Sequence, residues 1–327
     1  MTALAPHLSA YLREHLPRER AVSPHTVKTY ANCFVLLVQF AADRLKRRPT
    51  DLEVEDLGTD MIMAFLDHVE IGRGSCVRTR NGRLAAIRSF FRYIEYRIPA
   101  CLDQALRVRA IPTKKTDKAL IDYLDRAEIK ALLDTPDPRT RLGTRDRAML
   151  HLTYAGGLRV SELVTLQLGD FPDRSLSTMH IMGKGRRERV LPLWKETQIA
   201  LRAWLAIRPQ VEVTEIFLNA NGQPMTRDGF AFRLAEHVKT AATKQPSILG
   251  KRVTPHVLRH SCAMHTLAAT GDIRKVALWL GHASIQSTET YLRADPEEKL
   301  QILAAHGAPA IKPGRFKPPS DALITML

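Results

Sequence analysis

Arg159 and Arg259 carry guanidinium groups, which stay charged at any ordinary pH and offer a planar fork to two oxygens at once. His256 and His282 supply imidazoles whose pKa lies near neutrality, suited to giving or taking a proton. Tyr291 supplies a phenol, a weak nucleophile at neutral pH because its ordinary pKa is about 10. It attacks only where cations surround it and a neighbour accepts its proton. Together these types suit transesterification at a phosphodiester without a metal. Charge builds on the non-bridging oxygens there, and fixed cations and hydrogen-bond donors must hold it. Taken singly, each has a plainer reading: a surface or helix-capping arginine, a packing histidine, a buried tyrosine.

Lys184 sits between Gly183 and Gly185, in a turn able to carry a long ammonium into a DNA groove and protonate a leaving oxygen. Arg186 and Arg187 stand beside it, and either could simply touch phosphate. Glu162 falls three residues after Arg159 and shares its face if a helix runs through both. A metal reading also arises, because His256, His260, Cys262 and His265 crowd one stretch and the first two have the spacing of a helical zinc pair. Val257, Leu258 and Arg259 lie between them, so the glutamate of a zinc hydrolase is missing and an arginine would repel the ion. We therefore expect no metal; His260, His265, Tyr154 and Tyr123 read as structural.

These groups must be positioned by mixed elements. Ser23 is the expected N-cap of SPHTVKTYANCFVLLVQFAADRL, with Pro24 in its first turn and Val27, Tyr30, Phe34, Leu37 and Ala41 on one face. Ile62, Phe65, Leu66 and Val69 mark a second helical stripe. Leu84, Ile87, Phe90 or Phe91, and Ile94 mark a third. Around the third lie Arg73, Arg78, Arg80, Arg83, Arg88, Arg92 and Arg97. Arg88 and Arg92 are four apart, so they share a face that could track a phosphate backbone. The polar run from Pro112 to Lys118 lacks apolar periodicity and reads as a linker, after which Asp125 and Glu128 resemble a helix start. TRDRAMLHLTYAGG reads as a helix stopped by Gly156 and Gly157. SLSTMHIM and RRERVLPL read as a hairpin, EIFLNANGQP as a further strand-like run, and the pattern returns to helix from Thr226. The expected organisation is a helical domain over 1–110, a linker over 111–118, a mixed α/β domain over 119–306 and a tail over 307–327.

Composition narrows the partner. Lysine and arginine number 49 against 34 acidic residues, a net charge of +15, which favours a polyanion such as nucleic acid. No run approaches the roughly 20 apolar residues that span a bilayer, and the N-terminus lacks an apolar signal core. The four scattered cysteines form no CxxC pair. A cytoplasmic protein without a membrane role is expected.

The segments YAGGLRVSEL, MGKGRRERVLPL, HVLRHS and LGHASIQSTETYLRAD, in that order, resemble the conserved boxes of the tyrosine recombinase family of lambda-integrase and Xer type. The resemblance covers roughly residues 119–295 and extends more weakly to SPHTVKTY, which is similar to the family's core DNA-binding domain. It implies a mainly α fold with a small β-sheet, in which a helical, SAM-like core-binding domain and a mixed α/β catalytic domain form a C-shaped clamp. It gives Arg159 and Arg259 the phosphate clamp, Glu162 the orientation of the arginine, and His282 a hydrogen bond to the scissile phosphate. His256 would help to accept the nucleophile's proton, Lys184 would act as general acid, and Tyr291 would be the nucleophile. The product would be a 3′-phosphotyrosine, with strands exchanged through a Holliday junction and neither ATP nor another cofactor required. The implied partners are double-stranded DNA bearing specific sites and further subunits, alike or related, in a tetramer in which the tail over 307–327 is exchanged between subunits, the alternatives being a tail packed on its own subunit or a disordered end. A type IB topoisomerase shares this chemistry, and a silent DNA-binding protein could share the fold. The Xer-like LGH box and the small N-terminal domain argue against the first, and the full set of reactive residues against the second.

Overall fold

The computed structural model describes residues 2–117, 120–173, 175–183, 188–282 and 284–294. Lys184, Arg186, Arg187 and the expected tail of 307–327 lie outside the described residues. Two compact units are formed, Met1–Lys118 and Ala119–Leu327.

The first unit is helical, with α1 (Leu4–Ala10) running on into wider π-type turns (Tyr11–Glu19), then α2 (Pro24–Leu45), α3 (Thr59–Asp67), α4 (Val77–Arg97) and α5 (Leu102–Ala110). The Ser23 side chain accepts from the Thr26 amide and Pro24 fills the first turn, where a missing N–H costs nothing. Phe34, Leu37 and Ala41 of α2 are buried, with Val27 and Tyr30 half-covered at its edge. Ile62, Phe65, Leu66 and Val69 are buried as their spacing predicts. On α4 both Phe90 and Phe91 are interior, because the stripe is wide enough to take adjacent positions. Tyr11 packs edge-on against Phe34 and Phe90, with centroids 6.0 and 5.3 Å away.

The arginine cluster divides. Arg73, Arg78 and Arg92 are exposed, while Arg83 and Arg88 are half-buried, and Arg88 donates to the Ile111 carbonyl. Arg80 departs from the exposed cluster expected at a DNA surface: it is 1% exposed and its guanidinium faces Glu70 at 3.6 Å. Its place on the inner face of α4 made an internal acid its partner.

The second unit contains α6 (Arg126–Leu133), α7 (Arg141–Ala155), α8 (Val160–Val164), β1 (Thr178–Met182), β2 (Glu188–Pro192), α9 (Lys195–Ile207), α10 (Arg227–Ala242), α11 (Pro255–Thr270), α12 (Ile273–Leu280) and α13 (Glu289–Ala294). A capping box from Asp125 and Glu128 starts α6. Nearly every residue of α7 after its first turn is buried, making it the central helix of the core. The β1–β2 ladder is antiparallel, with Ile181 opposite Arg189.

EIFLNANGQP does not form a strand as expected. Only isolated bridges join Gln167 to Glu215 and Leu218 to Pro224. Three carbonyls of this run are taken by side chains instead, Trp204 donating to Ile216, Arg208 to Glu215 and Arg145 to Leu218, while those of Phe217 and Asn219 accept the Met225 and Gly222 amides around the turn. With its acceptors used this way, the run needs no ladder.

Asp146, 1% exposed, collects three basic partners: Arg145 at 2.7 Å, Arg233 at 2.7 Å and His237 at 2.9 Å. Burial pushes its carboxyl up, but the bond from His237, the charge and bond of Arg145 and the bond from Arg233 outweigh that and hold it below the usual carboxylate range. Asp146→Ala is expected to cost about 3–5 kcal/mol in urea unfolding, because it strands Arg145 in the interior. A folded pKa below the unfolded one stabilises above the unfolded value of about 3.9 and is lost as pH falls through the folded value. Asp146→Asn should therefore flatten the acid side of the stability curve, and an unchanged acid limb would count against this network.

Candidate active site

Helix α7 ends at Gly156, and Gly157 turns the chain with φ +54 before Arg159. A Cβ on Gly157 would sit 2.5 Å from Leu280 Cδ2, so both the left-handed turn and the close approach require glycine. Arg159 stands at the N-cap of α8, and Glu162 in the first turn reaches back to accept its amide at 2.9 Å and its Nη1 at 2.8 Å. The expected pairing is present by a different route: no helix runs through both, and Glu162 acts from the positive end of a new one.

Glu162 gathers more than Arg159. Arg189, from β2, donates to both its carboxylate oxygens at 3.2 and 2.8 Å, and Arg259 lies 3.9 Å away. Burial alone would raise the Glu162 carboxyl, yet the bonds and charge of Arg189, and then the bonds from Arg159, hold it below its usual range. It is an anion among three guanidiniums.

Arg259 projects inward from α11, 4% exposed, and donates to the main-chain carbonyls of Gly157 and, at 2.8 Å, Leu280. Burial, and then the charge of Arg159, lowers its pKa to about 10, which leaves it cationic at neutral pH. His256 lies on the exposed first turn of the same helix.

Gly281, with φ +64, closes α12 and delivers His282. A Cβ there would meet Arg189 Cδ at 2.9 Å, so this turn and the Arg189 side chain share one small space. His282 Nδ1 is 2.7 Å from the Thr288 hydroxyl. Burial first, then Arg259, Arg159 and Arg189, depress the His282 imidazole to about 4, so it is neutral near pH 7. Tyr291 on α13 is 2% exposed, and its ring lies nearly parallel to that of His282, 9° apart with centroids at 6.4 Å. Its hydroxyl is 3.1 Å from His260 Nδ1. Burial pushes the phenol up to about 12, opposed by Arg259.

Arg159 and Glu162, Arg259, His282 and Tyr291 thus come from four separate segments into one connected group. Arg189, Thr288 and His260 belong to that group and were not singled out for it from sequence. Arg189 had a signal: it shares the inward face of β2 with Leu191, two residues on, and an inward arginine demands an acid. The histidine-rich stretch splits, for His260 faces Tyr291 whereas His265 Nδ1 bonds the Tyr154 hydroxyl at 2.8 Å. Among the described residues no group of three His, Cys, Asp or Glu has metal-ligating geometry, and no helix is long and apolar enough to cross a membrane.

Residues 122–298 match the model of the phage integrase family, and residues 8–97 that of the phage integrase N-terminal SAM-like domain. A Sinorhizobium fredii chain, y4rC, whose name assigns it provisionally as an integrase/recombinase, is 39% identical over 98% of this chain and 97% of its own. Tyrosine recombinase XerC of Myxococcus xanthus is 35% identical over 92% of this chain and 97% of its own. Among solved structures, the XerH site-specific recombinase bound to its palindromic difH substrate shares the fold. Its TM-score is 0.66 at 20% identity, over 90% of this chain and 83% of that one.

Proposed function

The chain belongs to the phage integrase family of tyrosine recombinases, and from that premise we propose that it exchanges strands between specific DNA sites through a 3′-phosphotyrosine on Tyr291. The observation that carries this reading is the gathering of Arg159, Arg189 and Arg259 on one carboxylate in the group that holds the Tyr291 phenol. That much positive charge gathered in one site is suited to a phosphate.

The Tyr291 oxygen attacks phosphorus, and the 5′ oxygen leaves with a proton from Lys184. Arg159 and Arg259 hold the non-bridging oxygens, and Glu162 fixes their direction. The Thr288 hydroxyl, donating to His282 Nδ1, keeps the hydrogen on Nε2, where it can bond the phosphate. His256, at the exposed first turn of α11, stabilises the transition state. A 5′ hydroxyl from the partner strand then reverses the step. Bond energy stays in the phosphotyrosine, so no ATP is consumed, and two rounds of exchange pass through a Holliday junction.

Arg73, Arg78 and Arg92, with Arg83, Arg88, Arg186 and Arg187, contact the DNA backbone, in keeping with the net charge of +15. The assembly is a tetramer on two duplexes in the cytoplasm, of like or related subunits, serving integration, excision, transposition or resolution, with a mobile element as the favoured setting. An apolar cavity of about 470 Å³, bordered by Trp194, Cys262, Leu278 and Trp279, suits an apolar tail from a neighbouring subunit. The test is a nicked suicide duplex carrying the recognition site. Wild-type protein should form a detergent-stable adduct that maps to the peptide containing Tyr291, without metal or nucleotide; no adduct on that DNA would overturn the proposal.

A further inference from the structure

Cleavage requires a group that takes the phenol proton. Tyr291 is 2% exposed, so bulk water has little access to its hydroxyl, and the acceptor must come from the protein. His282 directs Nδ1 to Thr288, and its ring lies alongside that of Tyr291 rather than end-on to the hydroxyl. His256 is exposed and makes no hydrogen bond to Tyr291 among the described residues. His260, one turn further along α11, has Nδ1 3.1 Å from the phenol oxygen, with the two rings edge to face at 5.7 Å. We infer that His260 is the catalytic proton acceptor for Tyr291, an inference that rests on Tyr291 being the nucleophile.

The charges around His260 suit this role. On its own helix it faces His256 and Arg259, from the segment before α6 it faces Asp122, and from the elements beyond α11 it faces Tyr291 and His282. Burial first, then His256 and Arg259, lower its pKa, against the opposite pull of Asp122. The resting imidazole is neutral, with the Nδ1 lone pair toward the phenol and the hydrogen on Nε2. As the Tyr291 oxygen bonds to phosphorus, its proton moves to Nδ1. The bond from phosphorus to the 5′ oxygen breaks, and that oxygen is protonated by a separate donor. In rejoining, the incoming 5′ hydroxyl gives its proton back to that separate donor as its oxygen bonds to phosphorus, the tyrosine oxygen leaves, and the proton on Nδ1 returns to it. An arriving phosphate brings negative charge and makes the imidazole more basic as the proton is needed.

The experiment is single-turnover cleavage of a nicked duplex with sulfur replacing the 5′ bridging oxygen, from about pH 5 to about pH 9. The sulfur leaves without a proton, so the rate reports the phenol side alone. Wild-type protein should lose rate on the acid side as His260 protonates and level off near neutrality. His260→Phe should be slowed by about 10²-fold at neutral pH, with a rate that climbs about tenfold per pH unit toward the phenol's own range. His260→Gln, which can still bond the hydroxyl, should show the same climb and guards against a packing defect in the first variant. A wild-type rate in either variant that binds DNA, or a rate lowered equally at every pH, overturns the inference. Tyr291→Phe separates the two claims. If it still cleaves, the nucleophile assignment fails; if it is inert while the His260 variants keep the wild-type profile, only the His260 role fails.

Discussion

Tyr291→Phe is expected to abolish covalent attachment to a nicked recognition duplex, a loss on the order of 10⁴-fold or more, while DNA binding persists. The ring is part of a small apolar cluster with Ala263, Met264, Leu267, Val276 and Leu280, and phenylalanine keeps that packing. The lost hydrogen bond to His260 is expected to cost about 1 kcal/mol, too little to unfold the unit. Gel retardation and denaturing electrophoresis on the same samples would check both halves. An adduct that persists in the variant would transfer the nucleophile to another residue.

Glu162→Gln should produce the second large effect. Glutamine keeps the shape but removes the charge shared by Arg159, Arg189 and Arg259, whose side chains are 27%, 9% and 5% exposed. The guanidiniums then repel one another across a half-buried site. Breaking such a pairing costs about 3–5 kcal/mol, and misdirected phosphate donors cost on the order of 10²-fold or more in cleavage. The sign with pH follows from the lowered carboxyl pKa. Its stabilisation is present above the unfolded value of about 4.3 and is lost as pH falls through the folded value, so the variant should lack that acid-side loss. Urea unfolding across pH, together with adduct formation rates, would measure it. Wild-type values in both would make this carboxylate a bystander.

What could be read in advance was periodicity and local capping. The stripes of α2, α3 and α4 and the Asp125 and Glu128 box needed only the three- and four-residue steps of a helix. The N-terminal helix escaped, although Leu4, Leu8, Tyr11 and Leu12 fall at three- and four-residue steps; beyond Tyr11 the turns widen and Pro17 breaks the local pattern. EIFLNANGQP had the composition of a strand, but distant side chains claimed three of its carbonyls, and no local pattern shows that. Arg80 looked like its neighbours because charge type does not reveal burial. At the site, the reactive types were visible as boxes. Their mutual contacts were not, since Glu162 is met by β2 and α11, and His260 reaches Tyr291 only once α13 folds against α11.

The anchoring of Arg259 on two main-chain oxygens has a thermodynamic consequence. A free arginine side chain surrenders roughly 2 kcal/mol of rotational freedom when it is immobilised. Here that loss occurs during folding, because the carbonyls of Gly157 and Leu280 orient the guanidinium before any ligand arrives. Two of its five N–H donors are occupied, and three are left to point elsewhere. Since the acceptors belong to the backbone, they are fixed by the fold itself, and little of the entropy of engaging an anion falls on this arginine.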